Sequence, residues 1–112
     1  MPRVHRLCAY AVIGLGLIHA ALTGWTNGAW ISPRALFFEG AGLAILLLGL
    51  MNLILLEAGG DPRVRALCHI ANFSGVAFFA VGIVALPLPQ VFALFALMLF
   101  QLCSGFALIR CR

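Results

Sequence analysis

The sequence predicts an all-α integral membrane protein, a bundle of four transmembrane helices that forms a single domain over residues 1–112. Three observations predict this class. Hydrophobic residues make up 64% of the chain, charged residues make up 9%, and the mean hydropathy is +1.14, whereas a soluble domain is about half apolar and a quarter charged. Four segments also reach the roughly 20 apolar residues that cross about 30 Å of hydrocarbon. Short stretches with turn residues separate these segments.

The four predicted spans follow one another with short connections. They cover approximately residues 4–25, 33–57, 64–86 and 90–110. The connections are rich in glycine, proline and asparagine, which favour turns. Pro33 and Pro89 stand where the second and fourth spans begin, a position at which the missing N–H group costs nothing. Because the connections are short, we expect consecutive spans to be antiparallel neighbours.

The arginines predict an orientation in the membrane. All seven basic side chains are arginine, and Arg34 alone falls on one side of the predicted bundle. The other six are Arg3, Arg6, Arg63, Arg65, Arg110 and Arg112. Since an excess of arginine marks the cytoplasmic side, we expect a multi-pass protein of the cell's inner membrane with both termini in the cytoplasm. Trp25 and Trp30 then lie in an outer loop at headgroup level, and Glu57 and Asp61 are solvated charges of an inner loop.

An internal repeat relates the two halves of the chain. Residues 2–8 (PRVHRLC) and 62–68 (PRVRALC) are identical at five of seven positions. The second and fourth spans align more weakly at an offset of 56, which pairs Pro33 with Pro89. Two tandem-duplicated helical hairpins, related by an axis along the membrane normal, would produce this pattern. The alternative is that both arginine-rich starts merely satisfy the positive-inside rule.

Glu39 is the only carboxylate predicted to lie within the hydrocarbon. It stands six residues after Pro33, and His19 stands six residues before Trp25, so equal helix rise places both side chains at matching depth near the outer leaflet. A charged side chain at the bilayer centre costs at least about 2.5–3.5 kcal/mol. We expect the imidazole to share or accept the Glu39 proton, which lowers the cost of both groups.

Four neutral polar side chains lie nearer the predicted cytoplasmic side: Gln101, Asn72, Asn52 and Ser104. Two interpretations compete for them. In one, Gln101 and Asn72 continue a polar path that begins at the Glu39 and His19 pair, as in proton relays and substrate routes. In the other, the neutral side chains join helices through hydrogen bonds, each contributing about 0.6 kcal/mol on average.

Helical periodicity predicts which polar residues share a face. Asn52 and Glu39 are thirteen residues apart and are predicted to face different sides of the second span, so that one of them faces another partner such as a second protomer. On the first span one face carries residues recurring every three or four positions. These are His5, Cys8, Val12, Gly16 and His19.

Cysteines and histidines at the predicted inner edge suggest a metal site by ligand type. The candidate ligands are Cys8, Cys68, His69 and Cys111. Thiolates and imidazoles suit zinc or copper(I), but there is no Cys-x-x-Cys spacing, and the alternative is that the cysteines are small buried packing residues. The reducing cytoplasmic side keeps them as thiols. His19 and His69 differ too much in predicted depth for two-histidine haem ligation, and the sequence assigns no cofactor.

The chain carries no phosphate-binding glycine loop, no Ser/His/Asp set and no paired carboxylates, so the sequence gives no support to a hydrolase or a kinase, and the hypothesis of a non-enzymatic protein leads. The formal charge of +4 follows from topology and favours anionic lipid of the inner leaflet rather than nucleic acid. Three hypotheses remain. The leading one is a non-catalytic membrane subunit that packs against itself or other membrane chains. The second is a small proton-linked transporter or channel using Glu39 and His19, and the third is a protein that binds lipid, quinone or metal.

Overall fold

A computed structural model of the chain describes residues 2–27, 32–58 and 60–110, and it is helical over almost all of them. The helices are α1 (Pro2–Asn27), α2 (Pro33–Ala58), α3 (Pro62–Ala85) and α4 (Pro89–Arg110). Every predicted span boundary agrees with these bounds to within two residues. The prediction of an all-α four-helix protein is therefore confirmed. Predictions that fall on Trp30, Cys111 and Arg112 lie outside the described residues.

All four helices are long and apolar enough to cross a membrane. The qualifying segments are Pro2–Thr23, Pro33–Ala58, Pro62–Ala85 and Pro89–Leu108, and their mean hydropathy lies between 1.5 and 2.2. The molecule measures 49 × 25 × 22 Å, so its long axis exceeds the roughly 30 Å of a hydrocarbon core. Length and composition both fit a small multi-pass membrane protein.

Two helices begin at side-chain caps that precede a proline. Ser32 Oγ accepts the Ala35 N–H at 3.1 Å, next to Pro33. Asp61 Oδ1 accepts the Arg63 N–H at 2.7 Å ahead of α3, which also begins with proline. A cap partners an N–H that has no acceptor within the helix, and proline has no N–H to leave unpaired. Local sequence therefore determines where α2 and α3 begin.

The α3–α4 connection is held by its own backbone. The Leu86 N–H donates to the Gly82 carbonyl oxygen at 2.7 Å, which ends α3, and the Leu88 N–H donates to the Leu86 carbonyl oxygen at 2.7 Å. Helix α4 then begins at Pro89. So short a turn makes α3 and α4 antiparallel neighbours.

Glycines bring α1 and α2 into backbone contact. A Cβ atom on Gly16 would lie 2.6 Å from the Leu46 backbone nitrogen, and one on Gly42 would lie 2.9 Å from that of Ala20. A Cβ atom on Gly49 would lie 2.9 Å from a backbone oxygen of α1. Small residues allow such close approach in membrane helices, and α1–α2 is the most extensive helix pair of the bundle.

The bundle has an up-down-up-down arrangement with an apolar centre. After α1–α2, the next most extensive pair is α3–α4, and smaller contacts join α2 to α3 and α1 to α4. Every helix contributes to the core cluster. Its buried members are Val12, Ile45, Phe79, Leu94 and Met98.

Large apolar side chains also cover the outside of all four helices. Examples that are more than 40% exposed are Leu7, Ile18, Leu47, Phe73 and Leu99. A soluble monomer rarely exposes apolar patches larger than a few hundred Å². A surface of this kind is suited to contact with lipid tails or with other membrane helices.

Candidate functional site

Five polar side chains lie buried inside the bundle, toward the end at which α1 begins. They are His5, Asn52, Asn72, Gln101 and Ser104, each at most 4% exposed. Every helix contributes at least one of them, and we call this set the polar layer. At 1.5 Å of rise per residue its members lie between about 5 and 15 Å from the helix ends. Two sequence-predicted residues, Asn72 and Gln101, belong to it.

Asn52 and Asn72 form a reciprocal amide pair between α2 and α3. Asn52 Nδ2 donates to Asn72 Oδ1 at 2.7 Å, and Asn72 Nδ2 donates to Asn52 Oδ1 at 2.8 Å. Asn52 Nδ2 also donates to the Leu48 carbonyl oxygen at 2.9 Å. For this pair the geometry agrees with the interpretation that neutral polar side chains join helices.

His5 and Ser104 join α1 to α4. His5 Nδ1 lies 2.6 Å from Ser104 Oγ. Ser104 Oγ in turn donates to the Gln101 carbonyl oxygen at 3.3 Å, one turn earlier on α4. Asn52 borders the His5 ring from α2, so the layer is continuous from α4 through α1 and α2 to α3.

Gln101 differs from the other amides of the layer. It is fully buried, yet neither Gln101 Nε2 nor Gln101 Oε1 has a hydrogen-bond partner within the described part of the chain. His5 Nε2 is likewise buried without a partner. Most buried polar atoms in native proteins are hydrogen-bonded. The layer therefore combines satisfied pairs with polar atoms that remain available, among them the donor and the acceptor of the Gln101 amide.

His69 lies beside the layer on α3. Its ring stacks on Phe106, with centroids 4.2 Å apart and planes 3° from parallel. A Cβ atom on Gly105 would lie 3.1 Å from the ring, so this glycine makes room for the imidazole. Both ring nitrogens are buried without a hydrogen-bond partner within residues 2–27, 32–58 and 60–110.

The candidate metal ligands do not form a cluster in the described residues. No group of three or more His, Cys, Asp or Glu side chains that could hold a metal ion occurs in the searched ranges. Cys68 is buried and donates from Sγ to the Met51 carbonyl oxygen at 3.2 Å, and Cys8 is half-buried. Cys111 lies outside the described residues. The metal site therefore remains a prediction that this geometry does not favour.

Glu39 and His19 do not form a hydrogen-bonded pair. Glu39 is exposed on the outside of α2. His19 is half-buried and stacks on Phe38 with ring centroids 5.4 Å apart. His19 Nε2 is buried with no partner among the described residues. Asn52 faces the interior, so the prediction that Asn52 and Glu39 face different sides of α2 is confirmed.

One ion pair joins α1 to α2 at the end where α1 begins. Arg6 Nη2 lies 3.3 Å from Glu57 Oε1, and both side chains are more than half exposed. An exposed pair of this kind contributes about 0–1 kcal/mol. Glu57 thus lies where an interfacial charge is expected, whereas Glu39 lies well inside the helical span.

The sequence missed His5 as a central member of the site. Periodicity placed it on one face with Val12 and Gly16, and all three are buried in the structure. Its position only three residues after the start of α1 had suggested an interfacial side chain. The signal that could have located it is a serine at the matching depth of α4, which supplies its hydrogen-bond partner.

Comparisons of the chain with protein-family models, with characterised proteins and with solved structures find no match.

Proposed function

We propose that this chain is a non-catalytic subunit of a membrane assembly and that it associates with a second copy of itself through the outer part of α2. Four apolar helices support a small membrane protein. The observation that carries the proposal is the outward-facing Glu39. It has no hydrogen bond or ion pair within the described residues, although its position along α2 is well inside the helix.

The depth of Glu39 makes contact with lipid costly. Helix α2 has 26 residues, which at 1.5 Å per residue gives about 39 Å. If α2 is centred on a hydrocarbon core of about 30 Å, Glu39, six residues after Pro33, lies about 5 Å inside the hydrocarbon. Ionisable residues within membrane spans almost always face a protein partner or a water-filled cavity. Among the described residues of one copy, Glu39 has no such partner.

Arg34 is the basic residue nearest to Glu39 along α2, but it lies on a different side of the helix. It is exposed near the start of α2, five residues before Glu39, and is the only basic residue on that side of the bundle according to the predicted topology. In a two-fold symmetric contact, every contact occurs twice: if a first residue of one copy touches a second residue of the other copy, the reverse contact is also made. Five residues correspond to about 140° around the helix axis, the same angle that separates Asn52 from Glu39. A parallel two-fold contact centred on Glu39 therefore leaves Arg34 outside it and brings the two Glu39 side chains together, where a protonated carboxyl group can donate to its counterpart.

The arginine distribution supports the orientation that we propose for this subunit. Arg3, Arg6, Arg63 and Arg65 all lie at the end of the bundle where α1 begins. An excess of arginine marks the cytoplasmic side. We therefore assign that end, with both termini, to the cytoplasmic face of the inner membrane, and Glu39 to the outer leaflet.

We infer a duplicated hairpin from the sequence repeat, and burial supports it for α2 and α4. At the offset of 56 residues three pairs are buried in both halves, namely Gly42 with Met98, Ile45 with Gln101, and Gly49 with Gly105. At the offset of 60 residues α1 and α3 share one buried pair, Val12 with Asn72.

The test is energy transfer between donor-labelled and acceptor-labelled copies reconstituted together in lipid vesicles. We expect association of the unmodified chain, and we expect Glu39→Gln to weaken it about threefold to thirtyfold, since interhelical hydrogen bonds in membranes contribute about 0.6–2 kcal/mol. Arg34→Gln should weaken it less, because Arg34 lies about 140° around α2 from Glu39 and outside a contact centred on that residue.

Glu57→Gln is the matched control. Glu57 lies eighteen residues after Glu39, which is five helical turns and therefore the same side of α2, but it already pairs with Arg6. We expect Glu57→Gln to leave association unchanged. Transfer no greater than random mixing at every lipid ratio, or equal effects of the two glutamate substitutions, would overturn the proposal.

A further inference from the structure

The interior of the polar layer carries no fixed charge. The buried polar side chains of the described residues are histidine, threonine, asparagine, glutamine and serine, with no Asp, Glu, Lys or Arg among them. A bound ion would have no counter-charge here, and burying an unpaired ion in a medium of low dielectric constant is very costly. The layer therefore favours an uncharged ligand.

His5 and Ser104 satisfy each other on one side of the imidazole ring. His5 Nδ1 lies 2.6 Å from Ser104 Oγ, and Ser104 Oγ also lies 3.3 Å from the Gln101 carbonyl oxygen. The tautomer of the ring decides which of His5 Nδ1 and Ser104 Oγ donates. The other ring nitrogen, His5 Nε2, is buried without a hydrogen-bond partner in the described residues.

Gln101 offers both kinds of hydrogen-bonding atom. Its Nε2 carries two donor hydrogens and its Oε1 is an acceptor, and both atoms are buried and unpartnered in the described structure. Gln101 Oε1 requires a donor, whereas Gln101 Nε2 requires an acceptor. An occupant that satisfies this set must donate and accept hydrogen bonds at once.

We propose that the polar layer is a binding site for a small neutral molecule that both donates and accepts hydrogen bonds, and that water is its occupant. Gln101 and His5 are both 0% exposed. The bundle therefore encloses the occupant, which must be small. Buried waters in proteins make about three hydrogen bonds to polar groups that are otherwise unsatisfied. The proposal does not depend on self-association through Glu39.

The first test measures magnetisation transfer from water to side-chain amide hydrogens by NMR, with isotope-labelled protein in lipid nanodiscs. We expect transfer to the Gln101 Nε2 hydrogens. The Asn72 Nδ2 group is the internal control, because it donates to Asn52 Oδ1 at 2.8 Å and should show little transfer. Absence of transfer at Gln101, or equal transfer at Gln101 and Asn72, overturns the proposal.

The second test replaces Gln101 with an apolar side chain of similar length. If water bridges Gln101 and His5, Gln101→Met removes its partners and lowers the apparent Tm by about 4 °C or more, by the usual conversion for a domain of this size. If the amide is unpartnered, Gln101→Met raises the Tm, which contradicts the proposal. Ile45→Met, a buried apolar exchange on α2, is the control and should lower the Tm by less than Gln101→Met does.

Discussion

At the scale of single residues, the polar side chains of this protein differ by their partners rather than by their chemistry. Asn52 and Asn72 satisfy each other across two helices. Gln101, an amide of the same kind, is as deeply buried but has no side-chain partner among the described residues. The asparagine pair therefore acts as a structural contact, whereas Gln101 is the group that remains available for a ligand.

The asparagine pair predicts a non-additive effect of substitution. Asn72→Leu removes both hydrogen bonds and leaves Asn52 Oδ1 buried without a donor, which should lower the free energy of unfolding by about 1–3 kcal/mol. Asn52→Leu should have a similar effect. The double variant should lose less than the sum of the two, because no unpaired amide remains. Detergent-induced unfolding followed by circular dichroism measures all three changes.

Additive losses in that experiment would show that the two amides do not depend on each other. Ile70→Ala provides a reference for a change on α3 outside the interior, because this side chain is 64% exposed. We expect it to change the free energy of unfolding by no more than about 0.5 kcal/mol.

At the scale of helices, the α1–α2 pair depends on backbone contact that only glycine permits. A Cβ atom on Gly16 would meet the Leu46 nitrogen at 2.6 Å and the Gly42 oxygen at 2.8 Å. Both neighbours are backbone atoms and cannot rotate away. The two helices would have to separate along their contact to accept any side chain at this position.

Gly16→Ala should therefore lower the free energy of unfolding by about 1–3 kcal/mol, the usual cost of overpacking a tight interface. Gly14→Ala is the matched control on the same helix, since nothing lies within 4 Å of its Cβ position. It should be neutral or stabilise by up to about 1 kcal/mol through helix propensity. Thermal unfolding of the Gly16→Ala and Gly14→Ala variants in one detergent measures both changes. Equal destabilisation by the two substitutions would contradict the close contact between α1 and α2.

At the scale of the whole molecule, the exposed surface and the arginines together determine how the bundle is expected to lie in a membrane. Apolar side chains cover the outside of every helix, and Arg6 with Glu57 forms a charged pair at one end. Such a pair belongs at a headgroup layer rather than in hydrocarbon. The bundle is therefore expected to lie with its long axis across the bilayer.

Cysteine labelling tests the orientation. In a variant without native cysteines, a cysteine introduced at Leu88, in the α3–α4 turn, should react with a membrane-impermeant maleimide added to intact cells. A cysteine introduced at Gly60, between α2 and α3, should react only after the cells are opened. Both positions are exposed in the structure, so access across the membrane decides the result. The reverse pattern, or labelling of both positions in intact cells, would contradict the predicted orientation.

The sequence by itself determined the all-α architecture, the number of helices and their boundaries to within two residues. These properties depend on local features, namely hydropathy over about 20 residues and proline, glycine and capping residues at the ends. Periodicity also determined that Asn52 and Glu39 face different sides of α2, because a helix has a constant angle per residue.

Only the tertiary structure decided which polar residues come together. The sequence placed Glu39 beside His19 from equal depth alone, whereas the structure places Glu39 outside and the His19 ring against Phe38. It also brought His5 into contact with Ser104, ninety-nine residues away. Helix rise determines depth from the sequence, but contact also requires the rotation of each helix about its axis. That rotation depends on packing between helices, here on the glycines that join α1 to α2.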